Sequence, residues 1–250
     1  MSESPVLEAR LLSKAVGSIP VTRAVSMSLM RGDRRALIGP NGAGKTTFVN
    51  LLTGRTQATS GKIILNGTDI TRTDEASRSK LGIGRTFQIT SLFPRLTAHK
   101  NIFLALAECA GVGTHMLRSA TAYNVLHDRA DEILASVGLL DISQVLVQQL
   151  PYGQQRLIEI AIALALNPKV LLLDEPAAGI PTSERDIVLD IIKALPVDIP
   201  ILLIDHDMDL VFRFAKRITV LVQGAVFTEG TPAEIAADKN VRNIYLGEKH

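Results

Sequence analysis

Residues 39–47 read GPNGAGKTT, and the spacing Gly39, Gly44, Lys45, Thr46 fits a phosphate-binding loop: two glycines with four positions between them, then lysine and a hydroxyl. The flanks agree. Residues 34–40 supply a short apolar approach through Ala36, Leu37 and Ile38, and residues 46–52 can open a helix, so the loop joins a strand to a helix. Glycines let successive backbone N–H groups point at the β- and γ-phosphates, the helix N-terminus adds partial positive charge, and Lys45 adds a full one. Thr46 offers its hydroxyl to Mg²⁺. Asn41, Gly42 and Thr47 belong to the same nucleotide-binding set. The motif predicts binding of a nucleoside triphosphate.

Composition narrows the class of protein around that loop. At 250 residues, 46% hydrophobic and 21% charged, the chain can bury one large core with a smaller subdomain attached. Lys and Arg number 27 against 25 Asp and Glu, and no dense basic stripe with interleaved aromatics occurs, so no nucleic-acid partner is expected. The single cysteine, Cys109, has no disulfide or metal-ligand companion, which fits a reducing compartment, and is read as a buried or half-buried packing residue. The most apolar stretch, residues 160–166, is far shorter than a bilayer crossing, and the N-terminus lacks a signal pattern. The chain is expected to be neither exported nor membrane-spanning.

Strand-like apolar runs recur at residues 170–173 and 199–204, each preceded by turn residues and followed by helix-forming sequence, which is the grammar of a parallel α/β fold. Alternating segments at residues 25–29 and 62–65, broken by Gly32, Gly61 and Gly67, predict a small antiparallel β-subdomain beside the phosphate loop. From about Leu96 to Leu150 the sequence turns Ala- and Leu-rich at helical spacing (Leu126, Ala130, Ile133, Leu134, Val137), a helical insertion. Residues 218–222 and 225–228 around Gly224 predict a hairpin, and Pro232 starts a terminal helix.

Asp174 and Glu175 end the strand VLLLDE, where open α/β sheets put ligand chemistry. Asp174 suits a second-sphere Mg²⁺ role. Glu175, expected on the opposite side of the pleat, suits polarisation of an attacking water. In LPYGQQR (residues 150–156), Gly153 and Gln154 begin a strongly helical stretch, and that helix start is either a second anion site or an ordinary turn into a helix.

The phosphate loop, Gln88 in RTFQ, LPYGQQR, VLLLDEP and His206 in LLIDHD stand in the order and approximate spacing of an ATP-binding cassette ATPase. The resemblance covers essentially the whole chain. GIGRTFQITSLFPRLTAHKNIF, LLLDEPAAGIP, LLIDHDMDLVF and TPAEI…IYLGE are similar to the ATP-binding subunits of branched-chain amino-acid ABC transporters, the type with the longer insertion between glutamine loop and signature.

What the resemblance implies is a single α/β domain over residues 1–250. It has a phosphate-loop NTPase core with its β-subdomain (1–90 and 151–250) and a helical subdomain (about 91–150). ATP and Mg²⁺ would be bound in a head-to-tail dimer, the phosphate loop of one subunit facing Gly153 and Gln154 of the other. Catalytic roles would fall on Glu175, His206 and Gln88, and metal contacts on Thr46, Gln88 and Asp174. His99, His115, His127 and His250 lack such placement and are read as surface or core residues. Partners would be integral membrane permease subunits, a second copy or a paralogous ATPase, and an extracytoplasmic substrate-binding protein. The chain would then lie on the cytoplasmic face of the cell membrane. Leu92, Phe93 and Leu96 are apolar candidates for permease contact.

Three positions depart from the family pattern: Val16 where many cassettes stack adenine on an aromatic, Pro151 where serine is usual in the signature, and Pro181 where aspartate or asparagine is common. The alternatives to an importer are a soluble cassette ATPase acting as a mechanical clamp, and an exporter ATPase for lipid cargo.

Overall fold

A computed structural model describes residues 4–86, 92–111 and 120–246. The chain forms two compact units, one of Met1–Ile83, Lys169–Glu175 and Asp198–His250, the other of Gly84–Pro168 and Pro176–Val197.

The first unit carries the sheets, apart from Gly84 and Arg85 of the edge strand β6. Strands β1 (Leu7–Val16), β2 (Ile19–Leu29), β4 (Ser60–Leu65) and β5 (Thr68–Asp69) form an antiparallel sheet in the order β2-β1-β4-β5. The segments expected at residues 25–29 and 62–65 both lie in it, with β1 between them. A six-stranded sheet has the order β10-β9-β3-β8-β7-β6, built from β3 (Arg34–Ile38), β6 (Ile83–Arg85), β7 (Val170–Asp174), β8 (Ile201–Ile204), β9 (Arg217–Val222) and β10 (Ala225–Gly230). β9, β3, β8 and β7 run parallel, and the expected hairpin adds β10 antiparallel at the edge. Every residue of β3, β7 and β8 is buried, which is why β7 and β8 read as near-continuous apolar runs rather than as alternation.

Helix α1 (Lys45–Thr53) follows β3 and sinks Phe48, Val49, Leu51 and Leu52 into one core with Leu12, Val25, Leu37, Leu172 and Leu202. α2 (Glu75–Leu81) starts on Asp74, whose side chain accepts from the Ser77 N–H. The unit ends with α7 (Met208–Phe214), α8 (Pro232–Ala237) and α9 (Lys239–Leu246). α8 opens with Pro232 behind a reciprocal Thr231–Glu234 capping box.

The second unit is helical. α3 (Ala98–Cys109), α4 (Ala120–Ser136), α5 (Tyr152–Ala165) and α6 (Thr182–Ala194) pack α3 on α4, both on α5, and α5 on α6. It is therefore larger than residues 91–150. Leu157, Ile158, Ile160, Ala161 and Leu164 are all buried, so α5 has apolar surface in more than one direction and groups with the helices it packs against. Cys109 is exposed, not buried. It continues the packing stripe of Ile102 and Leu106, but as the last residue of α3 it lies where that stripe has run out of cover. His99 is buried at the α3–α4 contact, its ring 5.0 Å from that of His127; His115 and His250 lie outside the described residues. Among the described residues no helix is long and apolar enough to cross a membrane.

A residue that no sequence pattern singled out ties the phosphate-loop helix to its neighbour. Arg78 is 1% exposed. Its guanidinium donates to the carbonyls of Leu51 (2.6 Å), Leu52 (2.9 Å), Thr71 (2.9 Å) and Thr73 (2.9 Å). Leu51 and Leu52 lie in the last turn of α1, where carbonyls run short of helical donors and the helix dipole is negative; the Leu51 carbonyl also accepts the Gly54 N–H at 3.3 Å. Burial lowers the Arg78 pKa and the Asp74 carboxylate opposes that; the group stays cationic. Arg78→Met should cost about 3 kcal/mol or more by stranding these carbonyls. Arg78→Lys should recover less than half, since an ammonium cannot span four acceptors. Urea unfolding midpoints test both.

Candidate functional site

The phosphate loop leaves the buried end of β3 and is held by close main-chain contacts. Gly39 has φ +152°, and a Cβ there would lie 2.2 Å from the Leu221 carbonyl oxygen. Gly44, which caps α1 at φ +95°, would place a Cβ 2.7 Å from the Val21 carbonyl oxygen. Gly42 has φ +77° but open space where its Cβ would be. The outer glycines are thus demanded by packing and the middle one by conformation. Lys45 Nζ donates to the Gly39 carbonyl (2.5 Å) and the Pro40 carbonyl (3.1 Å), which holds the ammonium over the loop. Asn41, Gly42 and Thr46 are exposed, and Thr47 is half-buried. An uncapped first turn of α1 and a lysine over a glycine loop form a cradle for an anion.

Two further pieces meet this loop through the parallel register. β8 lies between β3 and β7, with Leu37 opposite Ile204 and Ile204 opposite Asp174. The loop, Asp174–Glu175 and Asp205–His206 all leave the carboxyl ends of adjacent strands, the place where such sheets bind ligands. Asp174 is 2% exposed. Glu175 does not continue the pleat as expected. It takes φ +48°, a left-handed backbone just past the strand, while its N–H still donates to the Ile204 carbonyl at 2.7 Å. That turn, not strand alternation, sets its direction. Glu175 Oε1 stands 3.6 Å from His206 Nδ1, and Asp205 Oδ1 stands 3.8 Å from the same nitrogen.

Asp205 was not among the sequence candidates. It is 3% exposed; burial raises its pKa, while N–H groups of Asp207 and His206 and the imidazole oppose.

In the second unit α5 begins at Pro151 (φ −53°, ψ 153°) with no side-chain cap. Gly153 is buried, and a Cβ there would come 2.6 Å from Glu184 Oε2. Gln154 is half-buried. The Tyr152 ring lies over Gly179, at 3.2 Å from where its Cβ would be. Arg156 and Glu159 pair inside the unit, Arg156 also lying 5.9 Å from the centre of the Tyr152 ring. Leu92 is buried, Leu96 half-buried and Phe93 56% exposed. Asn101 grips the Phe93 main chain, accepting from its N–H at 2.8 Å and donating to its carbonyl at 3.2 Å. Gln88 lies outside the described residues.

A family model described as ABC transporter matches residues 22–178. The chain belongs to the ABC transporter ATPase family. A second model, described as Branched-chain amino acid ATP-binding cassette transporter, matches residues 225–250. This ABC ATPase is 36% identical to the high-affinity branched-chain amino acid transport ATP-binding protein BraF of Pseudomonas aeruginosa, covering 98% of each chain. It is 34% identical to the lipopolysaccharide export system ATP-binding protein LptB of Haemophilus influenzae, again over 98% of each. Among solved structures it is similar to the ATP-binding cassette MJ1267 in its ADP conformation, with a TM-score of 0.84 and 28% identity over 98% of this chain and 99% of that one. The fold is that of a phosphate-loop ABC ATPase, and the activity is ATP hydrolysis coupled to transport.

The loop contacts predict unequal effects at two glycines. Gly42→Ala should cost about 1–2 kcal/mol, the strain of a left-handed backbone in open space. Gly44→Ala should cost more than that, because the Val21 carbonyl must also move. Urea unfolding compares them, and equal losses would show that this carbonyl does not constrain the loop.

Proposed function

We propose that this chain is the ATPase subunit of an importer for branched-chain amino acids or related small carboxylates or amides, held at the cytoplasmic face of the cell membrane by its permease. The observation that carries the cargo is the match of residues 225–250 to a branched-chain amino acid cassette model. The full-length similarity to BraF accompanies it.

ATP is the substrate. The loop N–H groups from Gly39 to Thr47, with Asn41 beside them, surround its phosphates, and Lys45 balances their charge. The Thr46 hydroxyl and the Asp174 carboxylate are hard oxygen donors at neighbouring ends of α1 and β7, a donor set that fits Mg²⁺, and Gln88 would complete it. When bound, the ion neutralises charge on the β- and γ-phosphates. Glu175 takes a proton from water as its oxygen attacks the γ-phosphorus, the bond to the β-phosphate oxygen breaks, and ADP and phosphate leave. His206 contacts the γ-phosphate and steadies its charge.

Gly153 and Gln154 complete the site of a partner subunit, through N–H groups at the start of α5, so each ATP needs two chains. The cassette MJ0796, with a TM-score of 0.74 and 26% identity, is dimeric in a post-hydrolysis state bound to ADP and phosphate. Closure on ATP and reopening after phosphate loss supply the transport stroke. Phe93, the exposed one of the three apolar candidates, is offered to the permease, and an extracytoplasmic binding protein delivers the cargo. Similarity to LptB supports a second reading, export of a lipid cargo by the same ATPase chemistry.

Glu175→Gln should lower phosphate release by about 10²-fold or more while ATP-bound dimers accumulate on size exclusion. Turnover near the wild-type rate would mean that the base lies elsewhere. The tagged variant, purified from native membranes with ATP, should bring down a multi-spanning permease, and that complex should bind or import leucine once reconstituted. Recovery of lipid-transfer components favours export, and recovery of soluble partners alone overturns the transporter assignment.

The nucleotide base offers a separate check. Val16 and Ile19 at the β1–β2 turn are 63% and 69% exposed, and the first aromatic, Phe48, is buried. With no ring to stack on, kcat/KM for ATP and GTP should agree within about tenfold, the scale of one aromatic contact. A strong ATP preference in phosphate-release assays would point to another base-reading group.

A further inference from the structure

His206 stands between two braced residues. On its far side Asp207 caps α7, its side chain accepting from the N–H groups of Asp209 (3.1 Å) and Leu210 (3.3 Å). On its near side Asp205 Oδ1 accepts from the N–H groups of both His206 (2.8 Å) and Asp207 (2.9 Å). The imidazole itself is exposed, with 69% of its side-chain surface open. Nothing in its own packing therefore fixes where it points; the turn beneath it does. Asp205 is built into that turn at a cost. It is 3% exposed, and its second oxygen, Oδ2, is buried with no hydrogen-bond partner among the described residues. An orphaned buried carboxylate oxygen is unfavourable and needs a compensating use. One oxygen drawing in two consecutive main-chain N–H groups is such a use, since it closes the chain sharply after β8 and turns His206 toward Glu175.

We propose that Asp205 is a positioning residue of the hydrolytic site: its side-chain oxygen holds the turn that aims His206 at the γ-phosphate position beside Glu175. The inference rests on the roles given above to Glu175 and His206. It does not require the Asp205 charge, only an acceptor at Oδ1 with the reach to meet two donors.

Steady-state ATP hydrolysis by the full chain tests it with Asp205→Ala, Asp205→Asn, His206→Ala and the Asp205→Ala/His206→Ala double variant. Asp205→Ala should lower kcat about tenfold or more, as expected when a positioned catalytic group is misplaced, with KM for ATP within about twofold. Asp205→Asn, whose amide oxygen accepts the same two N–H groups, should keep at least about half of kcat. The double variant should be no slower than His206→Ala, because the brace acts only through the imidazole. Should Asp205→Ala fail to fold, Asp205→Ser, with one shorter acceptor, carries the same comparison.

Wild-type kcat in Asp205→Ala with His206→Ala impaired overturns the proposal and leaves the reading of His206 intact. So does Asp205→Asn as slow as the alanine form, or a double variant slower than His206→Ala. Wild-type kcat in His206→Ala removes the role of His206 and the proposal with it.

Discussion

The site in the first unit depends on the parallel pairing of three short strands. Because Leu37 faces Ile204 and Ile204 faces Asp174, β3, β8 and β7 end level. A strand rises about 3.3 Å per residue and successive side chains change face, so a slip of one residue in either pair would move a carboxylate away from the loop and exchange the two packed faces of the strand. The Glu175 N–H bond to the Ile204 carbonyl extends the ladder one residue past β7. Glu175 reaches His206 only while the β7–β8 register holds. The uninterrupted burial of all three strands makes slippage costly.

Around this register the fold adds main-chain devices rather than side-chain ones. Gly39 and Gly44 let the loop press against the carbonyls of Leu221 and Val21, so the hairpin and β2 define the outside of the anion cradle. At the other end of α1, Arg78 joins the carbonyls of its last turn to those of the loop before α2. α1 is therefore anchored at both ends, by backbone contact at its N-terminus and by a buried guanidinium at its C-terminus. A helix whose first turn must meet a highly charged ligand gains from such anchoring, because the ligand then finds its N–H groups already oriented.

The candidate site residues stood out in the sequence because their signals are local: a phosphate loop, an acidic strand end and a histidine after an apolar run each occupy only a few residues. Antiparallel strands and the C-terminal hairpin were legible from alternation and glycine placement. β1 was not, because LEARLLSKAV is rich in helix formers and is bent by Leu11 at φ +48°, so pairing with β2 and β4 decides its state. The left-handed turn at Glu175 was not foreseen for a similar reason, since period-two reasoning stops where the strand does. Arg78 and Asp205 escaped notice because each acts through main-chain groups, those of Arg78 reaching as far back as Leu51. Composition gives no signal for that.

The start of α5, proposed above as an anion site facing a partner subunit, is built differently. Where the family commonly has serine, α5 begins with Pro151 and has no side-chain cap, so no hydroxyl there shares the first N–H groups. Proline needs no acceptor at its own nitrogen, and with ψ 153° it leads the chain into the helix without a capping side chain. Gly153 then brings Glu184 close, its carboxylate within van der Waals reach of the helix start. A carboxylate beside a helix N-terminus is stabilising until a second anion arrives, when the two compete for the same dipole. In the dimer proposed above, where a γ-phosphate would approach this helix, the Glu184 charge would oppose closure. On that reading, an acid against Gly153 and proline at position 151 would weaken the closed state and favour reopening once phosphate has left.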